Sequence, residues 1–254
     1  MKVRIRFSKY GALRFIGHLD VMRYFQKAIR RADIPIAYSE GFSPHQIMSF
    51  AAPLSVGQTS EGEYLDIEIV SEPASFPEEK EVLKERLQGV MVEGISILDV
   101  QFLPPGEKNA MASVAAAAYL VFFRQSASLP QGWQEKLAAF YGREEIPVTK
   151  KTKKSEKQIN LKESIYQLEV RKNAFKDSSF GDTFFGDRQD VLEDGVYMLL
   201  NASSGGNIKP AFVLECFFNT LGCELMTSAL MVHRLQTYKR IGNEGELVPL
   251  IWEK

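Results

Sequence analysis

The chain has 254 residues, 45% of them hydrophobic and 25% charged, with a formal net charge of −1. That length and apolar content suffice for one large domain or two ordinary ones and exclude disorder of the whole chain. The near-neutral balance removes any global argument for a polyanionic partner, and two cysteines, Cys216 and Cys223, suit reduced thiols rather than a disulfide framework or a zinc site.

The charge is unevenly spread. Residues 1–33 hold nine basic groups against Asp20 and Asp33, a balance of +7, whereas residues 61–107 hold twelve acids against three bases, a balance of −9. The opening MKVRIRFSKYG lacks an apolar signal core, and the longest apolar run, Val114 to Phe123, is about half of the ~20 residues a membrane span needs. A cytoplasmic protein is expected.

Val3, Ile5 and Phe7 alternate with Arg4, Arg6 and Ser8, which predicts a strand with one buried face. Leu19, Met22, Phe25, Ile29 and Ala32 then recur at helical spacing, so residues 18–33 are expected to form an amphipathic helix stopped by Pro35. Arg23, Lys27, Arg30 and Arg31 fall on its other side. Beyond the turn-rich SEGFSPH, Gln46 to Ala52 and the segment around Tyr64, Ile67 and Ile69 read as strands. A helix opened by Ser75 and Pro77 ends at Gly89, and Ile95 to Leu103 supplies another strand. The order strand, helix, two strands, helix, strand is the split βαβ, or ferredoxin-like, arrangement.

Leu103-Pro104-Pro105-Gly106 and the small residues after it read as a linker. Strands are expected at Ala115 to Phe123, Ile146 to Lys151, Ile165 to Lys172, Val196 to Asn201 and Met231 to Tyr238, with helices at Gln131 to Phe140 and Pro210 to Leu221. The fold class is therefore α+β, with two ferredoxin-like domains at 1–105 and 113–254. The second is degenerate and carries the insertion Asn173 to Asp190.

Three groups of residues carry chemistry. The turn Ser203, Ser204, Gly205, Gly206 and Asn207 precedes a helix start, where free backbone N–H groups attract anions, so it is a candidate phosphate site, with a plain loop and N-cap as the alternative. It is neither a Walker loop nor a dinucleotide fingerprint. Lys150, Lys151, Lys153 and Lys154 lie in KKTKKSEK between two strands and, with the basic face of the first helix, form the expected RNA-binding set. A solvated sheet edge is the plainer use of such lysines. His18, Asp20, Glu40 and His45 are the candidates for acid–base catalysis, although spacing alone does not bring them together, and His18 is placed to cap the helix.

The run FSKYGALRFIGHLDVMRYFQKAIRRADIPIAYSEGFSPHQIMSFAAPLSVGQTSEGEYLDIEI, Phe7 to Ile69, resembles the radical SAM-linked protein family. That family is a domain of unknown function encoded beside, or fused to, a cobalamin-binding radical SAM enzyme. The likeness returns at Thr152 to Ile165, Ser203 to Pro210 and Val232 to Tyr238. It departs at Gln46 and Ile47, where the family often has a lysine, and at the insertion Asn173 to Asp190. The resemblance implies a radical SAM partner, and the family's usual gene neighbours imply RNA.

A radical SAM centre needs three thiolates for its cluster, and this chain has two cysteines in all, so it cannot be that enzyme. No cofactor and no metal site are expected. The leading expectation is an accessory protein that presents an RNA substrate to the radical SAM enzyme. The alternatives are a metal-independent endoribonuclease using His18 or His45, and a protein-binding adaptor without RNA contact. No RNP-type aromatic signature occurs, which excludes a standard RRM sheet.

Overall fold

The computed structural model describes residues 1–70, 80–151, 156–177, 190–242 and 245–252. Contacts divide the chain into unit 1, Met1–Ala115 with Gln236–Lys254, and unit 2, Ala116–Leu235. The architecture is α+β, and every strand pairing whose register is described is antiparallel.

In unit 1, β1 (Lys2–Lys9) carries the expected alternation, and Val3, Ile5 and Phe7 are buried. It lies between β3 (Thr59–Glu68) and β4 (Ile95–Leu103), while the short β2 (Met48–Phe50) pairs with β3 at Leu65 to Ile67. The order is thus β4-β1-β3, with β2 on the far side of β3. Helices α1 (His18–Arg31) and α2 (Lys80–Gln88) contribute Val21, Phe25, Ile29, Leu83 and Leu87 to the core built on the Val3, Ile5, Phe7 face. Asp33, in the left-handed region at φ 53°, turns the chain out of α1 before Pro35 is reached. The α2 start signals Ser75 and Pro77 lie outside the described residues.

The second face of β1 is not a solvent face. Arg4 is fully buried and forms a two-pronged ion pair with its cross-strand neighbour Asp66, at 2.8 and 2.9 Å. Its Nη1 also donates to the carbonyl of Leu250 and its Nη2 to that of Lys108, and Asp66 accepts the amide of Ala110. The C-terminal segment therefore returns to cover what alternation assigns to water. Burying two charges is tolerated only when the pair and its leftover donors are satisfied, as here.

In unit 2, β5 (Ala116–Arg124) is buried on both faces from Ala116 to Phe123. It is followed by α4 (Trp133–Tyr141), after the one-turn α3 (Ala110–Ser113) of unit 1. The hairpin β6 (Pro147–Lys151) and β7 (Glu156–Asn160) forms its own two-stranded sheet. Strands β8 (Ile165–Arg171), β9 (Val191–Asn201) and β10 (Leu230–Arg240) complete the order β10-β5-β9-β8, with the short α5 (Ala174–Asp177) and α6 (Pro210–Thr220) between them. Leu137, Phe140, Val213, Leu214 and Phe217 pack with Val121, Phe123, Val196 and Met198 in the core. Most of the insertion, residues 178–189, lies outside the described residues.

The sequence expectation of a second domain over 113–254 differs from this partition at its C-terminal end. Leu230–Leu235 of β10 belong to unit 2, but from Gln236 onward the chain counts with unit 1. There Tyr64 donates to Gln236 Oε1 at 2.6 Å and Thr237 to the Gly62 carbonyl at 2.7 Å, and β11 (Leu247–Pro249) pairs with Tyr238 to Arg240. A Cβ on Gly62 would lie 2.5 Å from Gln236 Cα, so only glycine permits this approach.

Candidate nucleic-acid interface

The first surface is α1. Its N-cap is Gly17, with no side-chain cap, so His18 occupies the first helical position instead of capping it. Val21, Phe25, Ala28 and Ile29 form the buried stripe, whereas Leu19 is 60% exposed. The stripe is rotated from the expected one because Val21, not Leu19, reaches the core. Arg23, Lys27 and Arg30, spaced four and three apart, share an exposed face.

Their partners differ. Arg23 reaches Asp20 at 3.5 Å between two well-exposed side chains, a pairing worth little in water. Lys27 and Arg30 have no ion-pair or hydrogen-bond partner among the described contacts. Arg31 is occupied: it donates to the Val90 carbonyl at 3.0 Å and lies 5.8 Å above the Tyr24 ring.

The four acid–base candidates stand in separate surroundings. The His18 ring meets Phe50 edge-on at 5.1 Å, Asp20 faces Arg23, and Glu40 is exposed. His45 Nδ1 shares a hydrogen bond of 2.8 Å with Ser39 Oγ inside the turn. No described hydrogen bond joins any two of the four.

One group escaped sequence reading. Lys9, 2% exposed, donates to the carbonyls of Ile16 at 3.0 Å and Arg14 at 3.4 Å, and shares a cavity with His18, Glu63 and Phe50. Burial lowers its pKa, and the Glu63 charge partly opposes the shift. The cavity, ≈ 10 Å³, has room for about one water and for no substrate, so Lys9 serves to hold the turn that leads into α1. Period-two alternation carries Lys9 onto the face of Val3, Ile5 and Phe7, and only its charge, which reads as a surface residue, hides it.

The second surface lies in unit 2. Asn201 Oδ1, at the end of β9, accepts the amide of Ser203 at 3.0 Å and its hydroxyl at 2.8 Å. Gly206 N–H donates to the Ser203 carbonyl, and a Cβ on Gly206 would lie 2.6 Å from the Asn201 side chain. The amides of Ser204, Gly205 and Asn207 have no partner among the described hydrogen bonds. Lys150 Nζ donates to the Asn207 carbonyl at 2.7 Å, which joins the lysine hairpin to the Gly-rich turn. Lys157, opposite Lys150 in the register, is exposed, as is Lys209 at the N-cap of α6. Of Lys151 only the backbone, in β6, is described, and Lys153 and Lys154 lie outside the described residues.

Among the described residues no cluster of three or more His, Cys, Asp or Glu is placed to hold a metal, and no helix is long and apolar enough to cross a membrane. Cys216 is half-buried, and burial raises its thiol pKa to about 11, far from a reactive thiolate.

No curated protein matches the chain. Residues 2–210 match the family model of an uncharacterized protein conserved in bacteria (DUF2344), and the chain belongs to that family.

Proposed function

From membership of a bacterial family whose description assigns no chemistry, we propose that this chain is an RNA-binding accessory protein, which presents an RNA substrate to a partner radical SAM enzyme with a cobalamin-binding domain. The observation that carries the RNA reading is the exposed line Arg23, Lys27 and Arg30, two of whose cations have no described intramolecular partner. Exposed, uncompensated cations at helical spacing attract phosphates and release their counterions. The Lys150 contact with the Ser203–Asn207 turn supports a second phosphate-facing surface in unit 2. The partner is inferred from the resemblance of Phe7 to Ile69 to the radical SAM-linked family.

We read both units as ferredoxin-like. The orders β4-β1-β3-β2 and β10-β5-β9-β8, each with helices after its first and third strands, support that reading. The setting is cytoplasmic in this reading. The dispersed candidates His18, Asp20, Glu40 and His45 favour presentation of RNA over its cleavage.

Co-purification from ultraviolet-crosslinked cells, followed by RNA sequencing and identification of bound proteins, tests the proposal. Enriched RNA together with a radical SAM enzyme is expected. Recovery of neither above an untagged control would refute it.

A further inference from the structure

Five large apolar side chains of unit 1 stand in solvent near the basic line: Phe15 at 61%, Leu19 at 60%, Val56 at 60%, Tyr38 at 50% and Phe42 fully exposed. Scattered singly they would need no explanation. They are not scattered. Phe15 closes the short 3-10 turn directly before α1, and Leu19 lies in the helix's first turn. Gly57 N–H donates to the Arg14 carbonyl at 2.8 Å, which brings the Val56 turn to the same joint.

Tyr38 is fastened farther along. Gln46 Nε2 donates to the Gln26 carbonyl of α1 at 3.3 Å and to the Tyr38 hydroxyl at 3.5 Å, beside Lys27. The turn carrying Phe42 is closed by the Ser39 amide on the His45 carbonyl at 2.8 Å. The cations Arg23, Lys27 and Arg30 are thus accompanied by exposed rings at the helix start and at its middle.

The Arg14 guanidinium lies over the Phe15 ring, 4.7 Å from its centroid, although most of that residue remains exposed. A ring backed by a cation presents a flat apolar surface held in place. An occupant must therefore carry repeated negative charge and also flat faces that seek stacking. Paired bases have their faces buried in the duplex, whereas unpaired bases have them free. We infer that the α1 surface takes single-stranded RNA, with unpaired bases stacking on Phe15 and Phe42 while phosphates lie on Arg23, Lys27 and Arg30.

This inference rests on the RNA reading above, and its test separates the two. The full chain is titrated by fluorescence anisotropy with a labelled single-stranded RNA of mixed sequence and with the same strand annealed to its complement. Tighter binding of the single strand is expected. Phe15→Ala with Phe42→Ala should weaken it by roughly fivefold or more per ring without changing the salt slope, since no charge is removed. Phe15→Tyr with Phe42→Tyr should retain affinity.

Equal affinity for strand and duplex, or an alanine variant that binds as wild type does, would overturn the stacking inference and leave the RNA reading standing. Binding of neither RNA would overturn both. A parallel arm uses phosphatidylglycerol–phosphatidylcholine vesicles. Vesicle binding lost in the alanine variant, with RNA affinity unchanged, would assign the rings to a membrane surface instead.

Discussion

Lys150 Nζ and the Asn207 carbonyl oxygen lie 2.7 Å apart, so a hairpin lysine and the turn before α6, far apart in sequence, meet in one surface of unit 2. Lys150→Ala removes both a positive charge and this clamp. If the lysine also faces phosphate, the slope of log affinity against log salt should flatten by roughly 0.7. A slope equal to that of the wild type, measured by RNA titration at several salt concentrations, would restrict Lys150 to a structural role.

The buried pair Arg4–Asp66 should be one of the most sensitive points in unit 1. Asp66→Ala leaves an uncompensated guanidinium among Leu250, Lys108 and the core, a loss of about 3–5 kcal/mol on the scale of broken buried ion pairs. Urea unfolding gives the number. A cost below about 1 kcal/mol, the range of exposed pairs, would mean that Arg4 finds water in the folded state.

His233, fully buried in β10, has its pKa pushed down to about 3 by burial. The native state refuses a proton that the unfolded chain accepts below its ordinary value of 6.5. Stability contributed by the neutral imidazole is therefore complete above about pH 6.5 and falls progressively toward pH 3, by as much as roughly 4 kcal/mol. His233→Gln should be less sensitive to acid over that window. Urea midpoints of the two proteins that stay parallel from neutral to acid pH would contradict the assignment.

Much of the strand and helix order could be read from periodicity, because Val3, Ile5 and Phe7, or Phe25 and Ile29, fill the core as their spacing requires. Features set by distant chain could not. Arg4 looks like a surface residue until the C-terminal segment covers it, and Lys9, although alternation puts it on the face of Phe7, reads as a surface charge until the Arg14 and Ile16 carbonyls are seen to hold it. At the candidate site the residue types of Arg23, Lys27 and Arg30 were legible, but their availability was not. Arg31, identical in type, is occupied by the Val90 carbonyl 59 positions away. The apolar residues beside them were misleading for the same reason: Leu19 fits a helical core stripe yet stands in solvent, because Val21 takes its place.

The measurement that bears most directly on the central claim is the salt dependence of RNA affinity for wild type and for the Arg23→Ala, Lys27→Ala, Arg30→Ala variant. Each phosphate contact on a single strand contributes about 0.7 to the slope, so three lost contacts should flatten it by roughly two units and weaken binding most at low salt. The exposed positions make unfolding an unsuitable explanation, and unchanged urea midpoints would establish that. A variant that binds RNA with wild-type affinity and wild-type slope would contradict the account, because the α1 face would then not be where the polyanion lies.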